Sequence, residues 1–174
     1  SSGMFLGPDF ASDLARPGCA LYGINPTPDH PNPMRPVVRL EARVLAVHDG
    51  RVEETVGYGA AETLVRDSRI AVVAVGYADG FLRAGSSSDA HAGGRAIVAG
   101  QPAPILGRIS MDLTAIDVTD LPEGAVRRGD LVELIGETIT IDEVATSAGT
   151  IGYEILTSLG RRYRRRHVGA GIGA

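Results

Sequence analysis

The sequence contains no lysine, and all 17 of its basic residues are arginine. This removes a Walker-type phosphate loop, Schiff-base formation and every other lysine-dependent mechanism from the chain acting alone. Cysteine is almost as scarce. The single Cys19 excludes an internal disulfide framework and a multi-cysteine zinc site. The four histidines, His30, His48, His91 and His167, lack the close spacing of a metal site. No run approaches the roughly 20 apolar residues of a membrane span and no signal-peptide pattern opens the chain, so no membrane partner is expected. A net charge of −4 provides no bulk attraction to nucleic acid.

What is present suits a folded domain. Of the 174 residues, 44% are hydrophobic and 22% charged, which allows one ordinary domain or one domain with a fragment of another. The chain opens Ser1-Ser2-Gly3 with its first methionine at position 4, which suggests processing or a piece of a longer protein. Turn-formers dominate up to about residue 34, leaving a short helix expected around Pro8–Ala15, with Phe10 and Leu14 as buried contacts. Cys19–Ile24 reads as a buried strand, and the proline-rich run 26–36 as a linker or an extended crossing segment.

From Val37 the pattern turns to β. Val37–His48, Asp49-Gly50 and Arg51–Val56 together read as a tight hairpin. Ile70–Gly76, Arg95–Ala99, Ile105–Val118 (bent at Ser110) and Leu131–Ile135 add short strands, as in a barrel or sandwich. Thr140-Ile141-Asp142-Glu143 is a capping box opening a helix. A second helix, Ile151–Leu159, is expected to stop at Gly160. The segment Ala84–Gly94 reads as a flexible insertion. Arg161–Arg166 reads as a final strand exposed to solvent or to another subunit rather than an RNA-binding patch. The glycine-rich end 169–174 resembles part of a dinucleotide fingerprint but is expected to be a frayed terminus.

Single residues of this set do not identify a function, because glycine-flanked tyrosines are usually strand residues. Their order is more specific. Arg16-Pro-Gly-Cys-Ala-Leu-Tyr22-Gly, Val56-Gly-Tyr58-Gly, Val75-Gly-Tyr77-Ala-Asp-Gly-Phe-Leu-Arg83, Gly107-Arg108-Ile-Ser-Met111-Asp112 and Thr150-Ile-Gly-Tyr153-Glu154 follow one another along the chain. The series resembles the C-terminal half of the alanine racemases, pyridoxal-phosphate (PLP) enzymes that interconvert L- and D-alanine. The resemblance covers essentially the whole chain. It implies a mainly β fold: the last piece of a PLP-binding (β/α)8 barrel with its linker in 1–35, then a C-terminal β-barrel-like domain in 36–174. The lysine that anchors PLP lies in the part of that family's barrel not represented here.

The same resemblance implies roles. Tyr58 matches the base that removes the α-proton of L-alanine; a phenol, with an ordinary pKa near 10, needs a positive partner to act near neutrality. Arg16 matches the arginine facing the pyridine nitrogen. A guanidinium only donates, so that nitrogen must stay unprotonated, which weakens the ring as an electron sink and suits rapid two-base exchange. Ser1, Gly18 and Cys19 match a phosphate cup, and Tyr153 the tyrosine that bonds the phosphate. Met111, through its backbone N–H, and Asp112 match a substrate-side pair delivered to the partner subunit. Tyr77, Arg83, Arg108 and Ile151 match the lining of the entrance corridor. Strand-end packing for Tyr58, an exposed turn for Arg16, a core position for Tyr153 and a solvated face for Arg83 and Arg108 are the structural alternatives.

The implied enzyme is a cytoplasmic homodimer supplying D-alanine to the bacterial cell wall, with alanine as its small-molecule partner, and the present chain alone is expected to be inactive. An inert stand-alone β-barrel binding module, or a racemase for another small amino acid such as serine, are the rival readings.

Overall fold

Alternating burial along the strands builds the domain. In a computed structural model describing residues 1–10 and 12–169, the strands are β1 (Leu40–Gly50), β2 (Thr55–Val56), β3 (Glu62–Thr63) and β4 (Ser68–Val73), followed by β5 (Arg95–Val98), β6 (Gln101–Leu106), β7 (Thr114–Asp117) and β8 (Leu131–Ile135). Six of them close an antiparallel barrel in the order β1-β4-β7-β6-β5-β8. β1 closes the ring: its first half, Leu40–Arg43, pairs with β8, and its second half, from Val44 to Gly50, pairs with β4. A register shift between Val44 and Ala46 bends the strand where it changes partner.

Inward positions carry Ala42, Val44, Ala71, Val73, Ala96, Val98, Ala103, Ile105, Ile116, Val132 and Leu134, all buried. Alternating small and branched residues fill a barrel of this size with side chains, leaving no channel. Each fully buried Val, Leu or Ile contributes roughly 1.5–3 kcal/mol. Two short helices, α1 (Ile141–Ser147) and α2 (Gly152–Ser158), add Ile141, Ala145 and Ile155 to the same core.

Several expectations are met. β8 matches its predicted range, β5 ends one residue early, and α1 has its capping box: Thr140 accepts from the Glu143 N–H, while the Glu143 carboxylate accepts from the Thr140 N–H. Others need correction. Asp49-Gly50 is not a hairpin turn; both residues remain in β1, opposite Arg69 and Ser68 of β4. The intervening 51–67 leaves the barrel as a separate excursion carrying the β2–β3 pair, whose Leu64 packs with Ile70 and Leu106 on the barrel's outer side. The stretch 105–118 is two strands, not one bent strand, with a turn at 107–113.

Cys19–Tyr22 forms a 3-10 turn instead of a strand, and Pro8–Phe10 a 3-10 turn instead of a longer helix, with Phe10 and Leu14 exposed. α2 is capped by Leu159, one residue before the predicted glycine. The segment 84–94 is tied down, not a loose insertion. Ser87 is 4% exposed and its N–H donates to the Gly107 carbonyl at 3.1 Å, and Asp89 accepts from the N–H and hydroxyl of Thr63. Residues 161–167 form no strand. Of the predicted frayed end, 170–174 lie outside the described residues.

Candidate active-site surfaces at the barrel periphery

Two groups of predicted site residues come together, at separate places. The first is built by the N-terminal segment against α2. Ser1 Oγ accepts the Gly18 N–H at 2.9 Å and the Ala20 N–H at 3.3 Å. Tyr153 projects from α2 to the same turn: a Cβ added at Gly18 would lie 2.4 Å from its hydroxyl oxygen. A larger residue at 18 would force the Tyr153 hydroxyl to shift. Loss of water and hydrogen bonding to Cys19 push the Tyr153 phenol above its ordinary range, so at neutral pH it remains a neutral donor. Ile151, largely exposed, is the N-cap of α2, beside Tyr153. Arg16 is exposed and shares an open cleft of about 620 Å³ with Ser1.

Two backbone N–H groups, a hydroxyl and a phenol thus lie together, and donors of these kinds bond anions.

The second group surrounds Tyr58. This residue lies in the loop joining β2 to β3, between Gly57 (φ 86°) and Gly59 (φ 70°), and is 72% exposed. The loop's backbone meets the turn after β6 at very short range: a Cβ on Gly57 would lie 2.5 Å from the Arg108 nitrogen, and one on Gly107 2.5 Å from the Val56 carbonyl oxygen. Arg108 Nη1 donates to the Tyr58 carbonyl at 3.0 Å. Below the loop, the Glu62 carboxylate accepts from the Ser87 hydroxyl and the Gly107 N–H. The backbone is therefore held while the phenol projects outward. Arg108, expected to line a corridor, here fixes the tyrosine loop.

The same post-β6 turn carries Met111 and Asp112. Ser110 and Leu113 close it through the Ser110 N–H to the Leu113 carbonyl (2.9 Å) and the Leu113 N–H to Ser110 Oγ (3.1 Å). Tyr77 sits on a 3-10 turn, Tyr77–Asp79, whose Tyr77 and Ala78 N–H groups donate to the Ser110 and Met111 carbonyls, both at 3.0 Å. Arg83 is exposed in a separate 3-10 turn, away from this group's hydrogen bonds among the described residues.

Sequence reasoning missed Asp79, Glu62, Ser87 and the specific part played by Arg162. Asp79 is 8% exposed, and its Oδ2 accepts the Gly76 N–H at 2.9 Å. Arg162 bridges Asp79 (3.2 Å) and Asp112 (2.7 Å). The Val75-Gly-Tyr77-Ala-Asp motif contains Asp79, but no local pattern pairs it with an arginine so much later in the chain.

With buried side chains filling its interior, this is a closed β-barrel domain whose candidate site residues lie on its periphery. Residues 37–167 match the family model described as "Alanine racemase, C-terminal domain". The chain is 48% identical over 97% of its length to the biosynthetic alanine racemase of Agrobacterium fabrum, and 55% identical over 95% of its length to an alanine racemase of Acidiphilium cryptum. Alanine racemase from Bartonella henselae, solved with covalently bound pyridoxal phosphate, superposes with a TM-score of 0.85 at 44% identity over 95% of this chain. The chain spans 44% of the length of each of those two curated relatives and 45% of the solved one. It belongs to the alanine racemase family, as a C-terminal domain with a preceding segment. Among the described residues no helix is long and apolar enough to cross a membrane.

Proposed function

We propose that this chain is the C-terminal part of a PLP-dependent alanine racemase, with residues 1–35 the end of the cofactor-binding barrel and 36–174 the β domain. The observation that carries the proposal is the presentation of Tyr58: glycine on both sides, backbone clamped by Arg108, phenol free of any packing duty. Fixing a loop while exposing its one reactive group is what a general base needs. The relatives support this reading over an inert binding module.

The residues present fit PLP. The Gly18 and Ala20 N–H groups, the Ser1 hydroxyl and the Tyr153 phenol are suited to a phosphate, and Arg16 lines the cleft that Ser1 also lines. When bound, PLP supplies a sink for the electron pair left behind as the α-proton departs. Because Arg16 donates only, it would keep a facing ring nitrogen unprotonated and that sink weak, favouring prompt return of a proton.

Tyr58 Oη takes the α-proton of L-alanine, and a second base, outside this lysine-free chain, delivers a proton to the opposite face; D-alanine follows the reverse order. The Met111 N–H holds the substrate carboxylate, and Asp112 borders it. Tyr77, Arg83, Arg108 and Ile151 line the approach. Tyr58, Met111 and Asp112 serve the partner's cofactor in a homodimer, while Arg16 and Tyr153 serve their own. The setting is the cytoplasm, with D-alanine destined for the cell wall.

The test is Tyr58→Phe in the full-length enzyme. Racemisation of alanine should fall roughly 10²–10⁴-fold. PLP absorbance should persist, and solvent deuterium should still enter the α-position from D-alanine but not from L-alanine. Unchanged turnover would overturn the assignment.

A further inference from the structure

Beyond the residues that would touch the substrate, we propose that Arg162 is a positioning residue: its guanidinium pins the Met111–Asp112 turn to the buried Asp79, and so sets how well the turn receives the substrate carboxylate. The clause about the carboxylate rests on the function proposed above. The pinning itself does not.

The geometry is a three-part tie. Asp79 is fixed first. Its Oδ2 accepts the Gly76 N–H at 2.9 Å, and its own carbonyl accepts the Gly160 N–H at 2.9 Å. The tail is equally fixed. A Cβ on Gly80 would lie 1.8 Å from the Ser158 carbonyl oxygen, so the backbone just after α2 runs directly over the 76–80 turn. Arg165 Nη2 then donates to the carbonyls of Leu159 (3.1 Å) and Gly160 (3.2 Å), folding the tail back. This path delivers Arg162, with Nε on Asp79 at 3.2 Å and Nη2 on Asp112 at 2.7 Å. Two carboxylates on different turns share one planar donor group, and a point charge does not reproduce that fork.

Asp112 itself is half exposed, and apart from Arg162 its turn is held, among the described residues, by the bonds closing it through Ser110 and Leu113 and by those from Tyr77 and Ala78. Arg162 thus couples the turn bearing Tyr77 to the turn bearing Met111, from outside both. The Asp112 and Asp79 carboxylates in turn hold the guanidinium firmly in its charged form.

The experiment uses the full-length protein with PLP, comparing Arg162→Met, Arg162→Lys, Asp112→Asn and the Arg162→Met/Asp112→Asn double variant. Arg162→Met should raise KM for alanine roughly tenfold, with kcat within about twofold of the parent. Arg162→Lys should fall between the two, and the double variant should be no worse than Asp112→Asn alone. Hydrogen exchange at 76–79 and 110–113 should quicken in Arg162→Met. An unchanged KM, or a loss confined to kcat as from a smaller folded fraction, would overturn the positioning role. Unchanged exchange would overturn the tie. If the parent protein does not racemise alanine, the proposed function fails, and the exchange comparison still decides whether Arg162 holds the turn.

Discussion

Gly80 shows how a single missing carbon can shape the site. At φ 90° it occupies the left-handed region, and the Ser158 carbonyl oxygen fills the space a Cβ would need. Gly100 has a similar φ of 79° but nothing within 4 Å. Gly100→Ala should therefore cost only backbone strain, about 1 kcal/mol. Gly80→Ala should cost at least about 2–3 kcal/mol, because strain is joined by a clash with main chain that cannot rotate away. Denaturant unfolding of both variants checks this, and equal losses would refute the contact. At this scale the site was partly legible. Tyr58, Tyr77, Met111 and Tyr153 lie in compact motifs whose glycines mark tight backbone approaches. Asp79 and Arg162 were not legible as a pair, since nothing local announces a bond between turns so far apart. Arg108 was placed near the site, but its bond to the Tyr58 carbonyl was not foreseen, because sequence does not display it.

Among the elements, α1 was the most readable, because a capping box is a local motif whose partners are three residues apart. Thr140→Ala should remove one side-chain acceptor and destabilise the helix start by about 1 kcal/mol. Glu143 adds a pH dependence. Partial burial pushes its carboxyl up, but the Thr140 N–H and the Arg95 guanidinium outweigh burial and hold it below the usual range. A depressed native value means the folded state binds fewer protons. The contribution is therefore complete above the unfolded pKa of roughly 4.3, and is lost as pH falls through the native value. Solvent screening keeps it under about 1 kcal/mol. Unfolding measured at pH 3 and pH 6 should show a smaller difference in Glu143→Gln than in the parent; the same difference in both would refute the ion-paired cap. β6 was the least readable element, since Pro102 and Pro104 argue against a central strand. They are accommodated because β7 pairs only with Ile105 and Leu106, so no neighbour there asks the prolines for an N–H. Asp49-Gly50 misled for the opposite reason: a strong hairpin signal was overridden by pairing with β4 and by the Gly50 approach to Leu64 and Ile70.

For the whole molecule, the decisive feature is the joint between residues 1–35 and the barrel, because the proposed phosphate cup has members on both sides of it. Ser1 and Gly18 belong to the N-terminal segment, and Tyr153 to α2. The joint is held by Ile24, 6% exposed in the main core, where it fills the space a Cβ on Gly152 would take, and by Asp142. The Asp142 Oδ2 accepts the Asn25 N–H at 2.9 Å and the Asn32 side-chain amide at 3.3 Å. Sequence reading took 26–36 as a linker or an extended crossing segment and was silent on this docking, which depends on one apolar side chain and one carboxylate far along the chain. Ile24→Ala should cost about 2–4 kcal/mol through lost burial and the cavity left behind. Since the lost contact lies at the joint and not inside the barrel, its effect should be uneven. In the full-length protein, limited proteolysis between 26 and 36 should quicken and PLP affinity should fall. Hydrogen exchange around Tyr58, held by Arg108 and Glu62, should stay at its parental rate. Faster exchange around Tyr58 equal to that at the joint would mean that segment and barrel open as one unit, and that the cup is not assembled by docking.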